Sequence, residues 1–183
     1  MYRKFILIFV ATAIYATVRY NVFGNFPWTD WPMFIVNKAI SFTMTVLLFY
    51  ATMNYYSTKT DLFEKWLSFI KKLSTLHILL SLVLLSQQYY PKILEQNKFS
   101  FFGNMMLLSG SFAALLLFSK LWKKYFFIFI LILSLHLFFL GIKGWLKPET
   151  WYGSMPPITL ICFILVMITL GILFYKSYKQ KEN

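Results

Sequence analysis

The stretch Tyr125–Ile142, YFFIFILILSLHLFFLGI, carries no charged residue, and Ser134 and His136 are its strongest polar interruptions. A helix on the surface of a soluble domain needs a polar face. This one has none, so lipid or protein must surround it on every side. Period-two alternation is absent, which argues for a helix over a barrel strand. Working outward, five further runs share its character: Phe5–Phe23, Met33–Met53, Leu73–Tyr90, Phe101–Phe118 and Pro157–Tyr175. Each is close to the roughly 20 residues that a helix needs to cross a hydrocarbon core of about 30 Å.

Six such runs nearly exhaust a chain of 183 residues, 59% hydrophobic and 13% charged. The expected fold is an all-α membrane protein, a bundle of six transmembrane helices forming one domain over residues 1–183. Arg3 and Lys4 precede the first run as they would in a secretory signal. That run is longer than a signal core and another span follows, so it is read as a retained helix.

Lysine and arginine set the expected orientation. Alternate loops place twelve of the 18 at the end that carries both termini: Arg3, Lys4 and the lysines within 59–72, 120–124 and 176–181. The other end keeps Arg19, Lys38, Lys92, Lys98, Lys143 and Lys147. Such a bias puts both termini in the cytoplasm, as in a bacterial-type inner membrane. The net charge of +12 is thereby explained by topology and anionic lipid, with no soluble basic module for nucleic acid. Trp28, Trp31, Trp145 and Trp151 are expected at the outer interface, Trp66 and Trp122 at the inner one.

The segment DLFEKWLSFIKKL (61–73) gathers Leu62, Trp66, Phe69, Ile70 and Leu73 mostly on one helical face, which reads as a short interfacial helix before the third span. GWLKPETWYGSMPP (144–157) is rich in turn formers and aromatics. It reads as an interfacial loop, with a cap on the bundle as the sharper alternative.

Several chemistries are missing from the sequence. There is no glycine-rich phosphate loop, no HExxH and no intramembrane GxSG. The six acidic residues (Asp30, Asp61, Glu64, Glu95, Glu149 and Glu182) lie outside or at the edges of the runs, which removes the usual carrier of an ion-coupled transporter. Cys162, the single cysteine, is read as an inert apolar side chain.

His77 and His136 are the only histidines, and both fall within apolar runs, the third and the fifth. An imidazole at that depth must be paired, packed against protein or bound to something. Two neutral imidazoles facing each other across a bundle are what a b-type haem needs as axial ligands. Zinc would want two further ligands, and none is close in sequence. The alternative is one hydrogen bond from each histidine to a neighbouring helix. From the outer boundary the two lie about 15 Å and about 10 Å deep. From the inner lysines the disagreement is near 10 Å, so haem ligation requires Lys71 and Lys72 to snorkel toward the headgroups.

Three stretches, VNKAISFTMTVLLFYAT (36–52), FEKWLSFIKKLSTLH (63–77) and FGNMMLLSGSFAALLLFSKLWKKY (102–125), make the chain similar to the ferric-reductase-like transmembrane domain family. The small haem-binding membrane subunits that serve a periplasmic methionine sulfoxide reductase are the nearest in size. The resemblance implies a membrane-embedded haem b subunit passing electrons across the membrane to an outer-face acceptor, a periplasmic redox partner. The donor would be a cytoplasmic flavoprotein or a quinone. It implies His77 and His136 as axial ligands of the haem iron, and Lys38 (with Arg19 or Lys143) as a partner for the propionates. Two-haem members carry a second histidine about thirteen residues along the same helix. Here Phe63 and Pro91 lie fourteen residues either side of His77, and Lys123 lies thirteen before His136, so at most one haem pair is expected. With no flavin or nicotinamide site, the chain would be a subunit of an oxidoreductase and not a whole one. The other classes open to it are a haemless membrane scaffold or accessory subunit of an envelope complex and, disfavoured by the lack of buried carboxylates and of matching broken-helix Gly/Pro pairs, a small permease.

Overall fold

A computed structural model describes residues 1–55, 60–96 and 98–179. Lys59, Lys181 and Glu182, used above for charge and topology, lie outside the described residues. The architecture is all-α, with six helices long and apolar enough to cross a membrane.

Helix α1 (Tyr2–Thr17) runs on through a π-helical turn, Val18–Val22. A 3-10 turn (Trp28–Asp30) and a second π turn (Trp31–Ile35), with Pro32 in its first positions, lead into α2 (Val36–Tyr55). A proline there gives up an amide that has no helical partner anyway. The Trp31 indole donates to Thr17 Oγ1 at 2.9 Å, tying the second π turn to the end of α1. Next come α3 (Thr60–Val83), a minimal hairpin of β1 (Leu94–Glu95) and β2 (Lys98–Phe99), α4 (Phe101–Phe118), α5 (Phe126–Trp145) and α6 (Ile158–Lys179). Ser100 caps α4 by accepting from the Gly103 amide at 3.3 Å.

Interhelical hydrogen bonds fix antiparallel neighbours. Thr12 and Thr43 hydroxyls meet at 2.7 Å between α1 and α2, and the Trp145 indole donates to Thr159 Oγ1 at 2.9 Å between α5 and α6. Ala16, Ala39 and Ala51 are fully buried, letting backbones approach where a larger side chain would hold them apart. The packing order is an arc. α1 lies on α2, α2 touches α3 and α6, α6 touches α5, and α5 touches α4. Only a slight contact joins α3 to α4, so the arc is nearly open there. One end of the bundle carries both termini (the terminal face), and the other carries the long 84–100 and 146–157 connections (the loop face).

Three expectations change. The 61–73 segment is no separate interfacial helix: it is the first half of α3, with Phe63, Trp66, Leu67 and Ile70 buried in the main core. Their common face packs inward on Trp122 and Phe126, with Phe63 5.6 Å from the Phe126 ring, and so the helix starts at Thr60, well before Leu73. Trp66, near the terminal-face end of the helix, is buried in this core and meets Tyr50 edge-on at 5.8 Å. The helix then ends at Val83, because Ser86, Gln87 and Gln88 turn the chain before Pro91. Finally, the 144–157 segment is the cap. Trp151 donates to the Gly144 carbonyl at 3.0 Å, Tyr15 donates to the Pro156 carbonyl at 2.8 Å, and the buried Arg19 guanidinium donates to the Met155 carbonyl. Tyr152 closes an aromatic group with Tyr20 and Phe26.

Candidate functional site

Inside the arc lies a cavity of about 320 Å³, lined from α2 to α6 and by Tyr90 and Ile93 of the 84–100 connection. Its floor, toward the terminal face, is Leu48, Ile70, Leu117 and Phe129, all set in the main core except at the cavity surface. His77, His136, Lys38 and Cys162 all line it. The structure therefore brings together three residues singled out in the sequence and one that had been passed over.

Each imidazole is held by its Nδ1. The His77 Nδ1 lies 2.6 Å from Asn37 Oδ1. The same amide donates through Nδ2 to Ser81 Oγ at 3.0 Å, one turn along α3 from His77. The amide stands with its oxygen toward the ring and its nitrogen toward Ser81, and an amide oxygen can only accept. On the other side His136 Nδ1 lies 2.9 Å from the Met106 carbonyl of α4, again an obligate acceptor. Both rings are thus Nδ1–H tautomers, and the lone pair of each sits on Nε2. Among the described residues neither Nε2 makes a hydrogen bond. Asn37 is 1% exposed, a buried amide with both ends used.

Gly110 of α4 makes room for His136. A Cβ there would stand 2.7 Å from the His136 Nδ1 and 2.9 Å from Cε1. Any side chain at 110 would have to push the imidazole aside, so the glycine is read as a seat for the ring.

The depth of the two rings follows from contacts at the terminal face. Glu64 and Lys123 pair at 2.6 Å, and each histidine lies thirteen residues beyond its member of the pair. Measured from the Phe63–Phe126 ring contact the intervals are fourteen and ten residues, or about 6 Å of rise. Either figure is smaller than the lysine-based gap, because the lysines mislead. Lys71 Nζ stands 5.2 Å over the Trp122 ring, so its stem reaches back toward the terminal face.

Of the three cations considered for a carboxylate, only Lys38 lines the cavity. Its Nζ lies 5.1 Å from the Phe34 ring centroid and 4.7 Å from that of Tyr90, and no carboxylate pairs with it among the described residues. Arg19 is committed to the cap carbonyls, and Lys143 pairs with Glu95 at 3.2 Å. At the loop face, burial first and then Lys147 and Arg19 hold the Lys92 ammonium below its usual range.

No group of three or more histidine, cysteine, aspartate or glutamate side chains gathers as a metal cage among the described residues. A two-imidazole site for a macrocycle that brings its own four in-plane donors asks for no such group. Comparison with protein-family models, curated proteins and solved structures gives no match to this chain.

Sequence reasoning missed Asn37 and Gly110, while Cys162, read as an inert apolar side chain, lies buried on the cavity wall. Asn37 had a usable signal, being an amide inside a span next to a lysine, a position where polarity is costly unless used. Gly110 had none, since its reason is a ring on another helix.

Proposed function

We propose that this protein is the membrane subunit of an electron-transfer system, holding one b-type haem between α3 and α5 with His77 and His136 as axial ligands. One observation carries the reading. Both histidines donate Nδ1–H to fixed protein acceptors, which leaves two uncommitted Nε2 lone pairs on a single cavity. Orientation of a ligating imidazole through its second nitrogen is the usual outer-sphere arrangement at metal sites.

Bound haem would supply a one-electron carrier. Asn37 and the Met106 carbonyl hold the two rings in the ligating tautomer. Gly110 admits the His136 ring to the α4 side of the cavity. Lys38 lines the cavity one helical turn deeper than Phe34, at the end nearer the loop face, where it would meet propionates with a charge-assisted hydrogen bond. The apolar floor keeps water from the terminal side. The lysine and arginine excess supports cytoplasmic termini in a bacterial inner membrane, with a flavoprotein or quinone as donor and the acceptor on the loop face.

The test is a dithionite-reduced minus oxidised visible spectrum of the purified full chain, expressed with ample haem. A sharp b-type band at near one haem per chain is expected, lost in His77→Ala and in His136→Ala. A featureless spectrum from folded protein would overturn the proposal in favour of a haemless scaffold or accessory subunit, with each imidazole serving only as a helix-to-helix donor.

A further inference from the structure

We propose that the cavity takes an amphiphilic carboxylate that reaches it sideways from the bilayer, through the cleft between α3 and α4, and seats its acid group on the Lys38 ammonium. The route comes from the arc. α3 and α4 hardly touch, and the residues at their gap belong to the cavity and to the outer surface at once. Leu82 of α3 lines the cavity and is 58% exposed, and Ser111 of α4 lines it and is exposed as well. Around them Leu79, Val83, Leu108, Phe112 and Leu115 present an apolar exterior, so the opening faces hydrocarbon. Over Lys38, by contrast, Phe34 stacks on Phe26 at 4.9 Å and on Tyr89 at 5.3 Å, which closes the way from the loop face.

The ligand class comes from Lys38. The Phe34 and Tyr90 rings and the Tyr90 hydroxyl attract its ammonium but bring no formal counter-charge. A lysine at membrane depth normally pairs with an acidic group, and the described residues offer it none. A ligand that carries a carboxylate into the cavity supplies that partner. Thr159, which accepts from the Trp145 indole and keeps its own proton, offers a second donor on the same wall. The remaining wall (Met44, Leu48, Leu107, Leu117) is apolar and suits a hydrocarbon chain or the edge of a macrocycle. The inference does not require either imidazole to bind iron. A free fatty acid and the propionates of a porphyrin present the same chemistry to Lys38.

The experiment uses the full chain in lipid nanodiscs, photolysed with a fatty acid that carries a mid-chain diazirine, with adducts mapped by mass spectrometry. Adducts on Met44, Leu107 and Leu117 are expected. They should fall about tenfold in Lys38→Met, the scale of one charge-assisted hydrogen bond, and persist in Lys38→Arg. The methyl ester of the same probe should not label these positions in the wild-type chain, which decides the matter even if Lys38→Met fails to accumulate. Metal-free protoporphyrin that suppresses the labelling assigns the seat to a porphyrin's carboxylates, and labelling that withstands it assigns the seat to a free acid. Adducts confined to the lipid-exposed Leu79, Phe112 and Leu115, equal for acid and ester, would overturn the proposal. A haem-free spectrum together with acid-dependent cavity labelling would sink the electron-transfer reading and leave this one standing.

Discussion

Asn37 is the residue on which the His77 geometry depends, because it fixes a tautomer and is itself fixed by Ser81. Replacing it by leucine leaves the His77 Nδ1–H unpaired at a buried position, at a cost of about 1–3 kcal/mol in stability. Loss of an outer-sphere partner of a ligating histidine typically weakens binding about 10- to 100-fold. Haemin titration of Asn37→Leu should therefore show affinity reduced by that factor, and unchanged affinity would show that the amide does not orient a ligand. Gly110→Val tests the other ring: its Cβ would fall 2.7 Å from His136 Nδ1, so the imidazole must move. Reduced haem occupancy is expected in a chain that elutes as wild type from gel filtration. Full occupancy would count against the seat.

Among the elements, the α1–α2 pair rests on the Thr12–Thr43 contact and on close backbone approach at the buried alanines. Interhelical hydrogen bonds in membranes are worth about 0.6 kcal/mol on average, up to about 1.7. Thr43→Val should cost within that range in reversible unfolding from mixed detergent micelles, and a loss of several kcal/mol would mean that the helices depend on more than this pair. The elements also show what could be read in advance. Phe101–Phe118 was legible to the residue, because a serine cap opens it and nothing apolar adjoins it. α3 was not, because Lys65, Lys71 and Lys72 interrupt its hydropathy. A lysine stem that bends back along its helix leaves the same residues apolar in space that look polar in sequence. The histidines were legible as site candidates because polarity at such depth demands a partner. The nitrogen each uses, and the glycine that admits one of them, depend on contacts about thirty or more residues apart, which no local pattern encodes.

For the whole molecule, the open arc, the apolar floor at the terminal face and the larger share of lysine and arginine at that same face give the bundle two unlike ends. With Cys162 changed to serine, single cysteines at Lys120 and Lys147 should divide by side in whole cells. A membrane-impermeant maleimide added outside is expected to label the cysteine at 147 and spare that at 120 until the cells are opened. The reverse pattern would place both termini outside and invert the proposed direction of electron transfer. The central claim is that two imidazoles on one cavity hold one iron. It is tested most directly by low-temperature electron paramagnetic resonance of the oxidised, haem-loaded chain. A low-spin bis-imidazole signal is predicted in the wild type, giving way to high-spin or vanishing signal in His77→Ala and likewise in His136→Ala. Failure of the loaded chain to retain haem, or a signal that neither substitution changes, would contradict it.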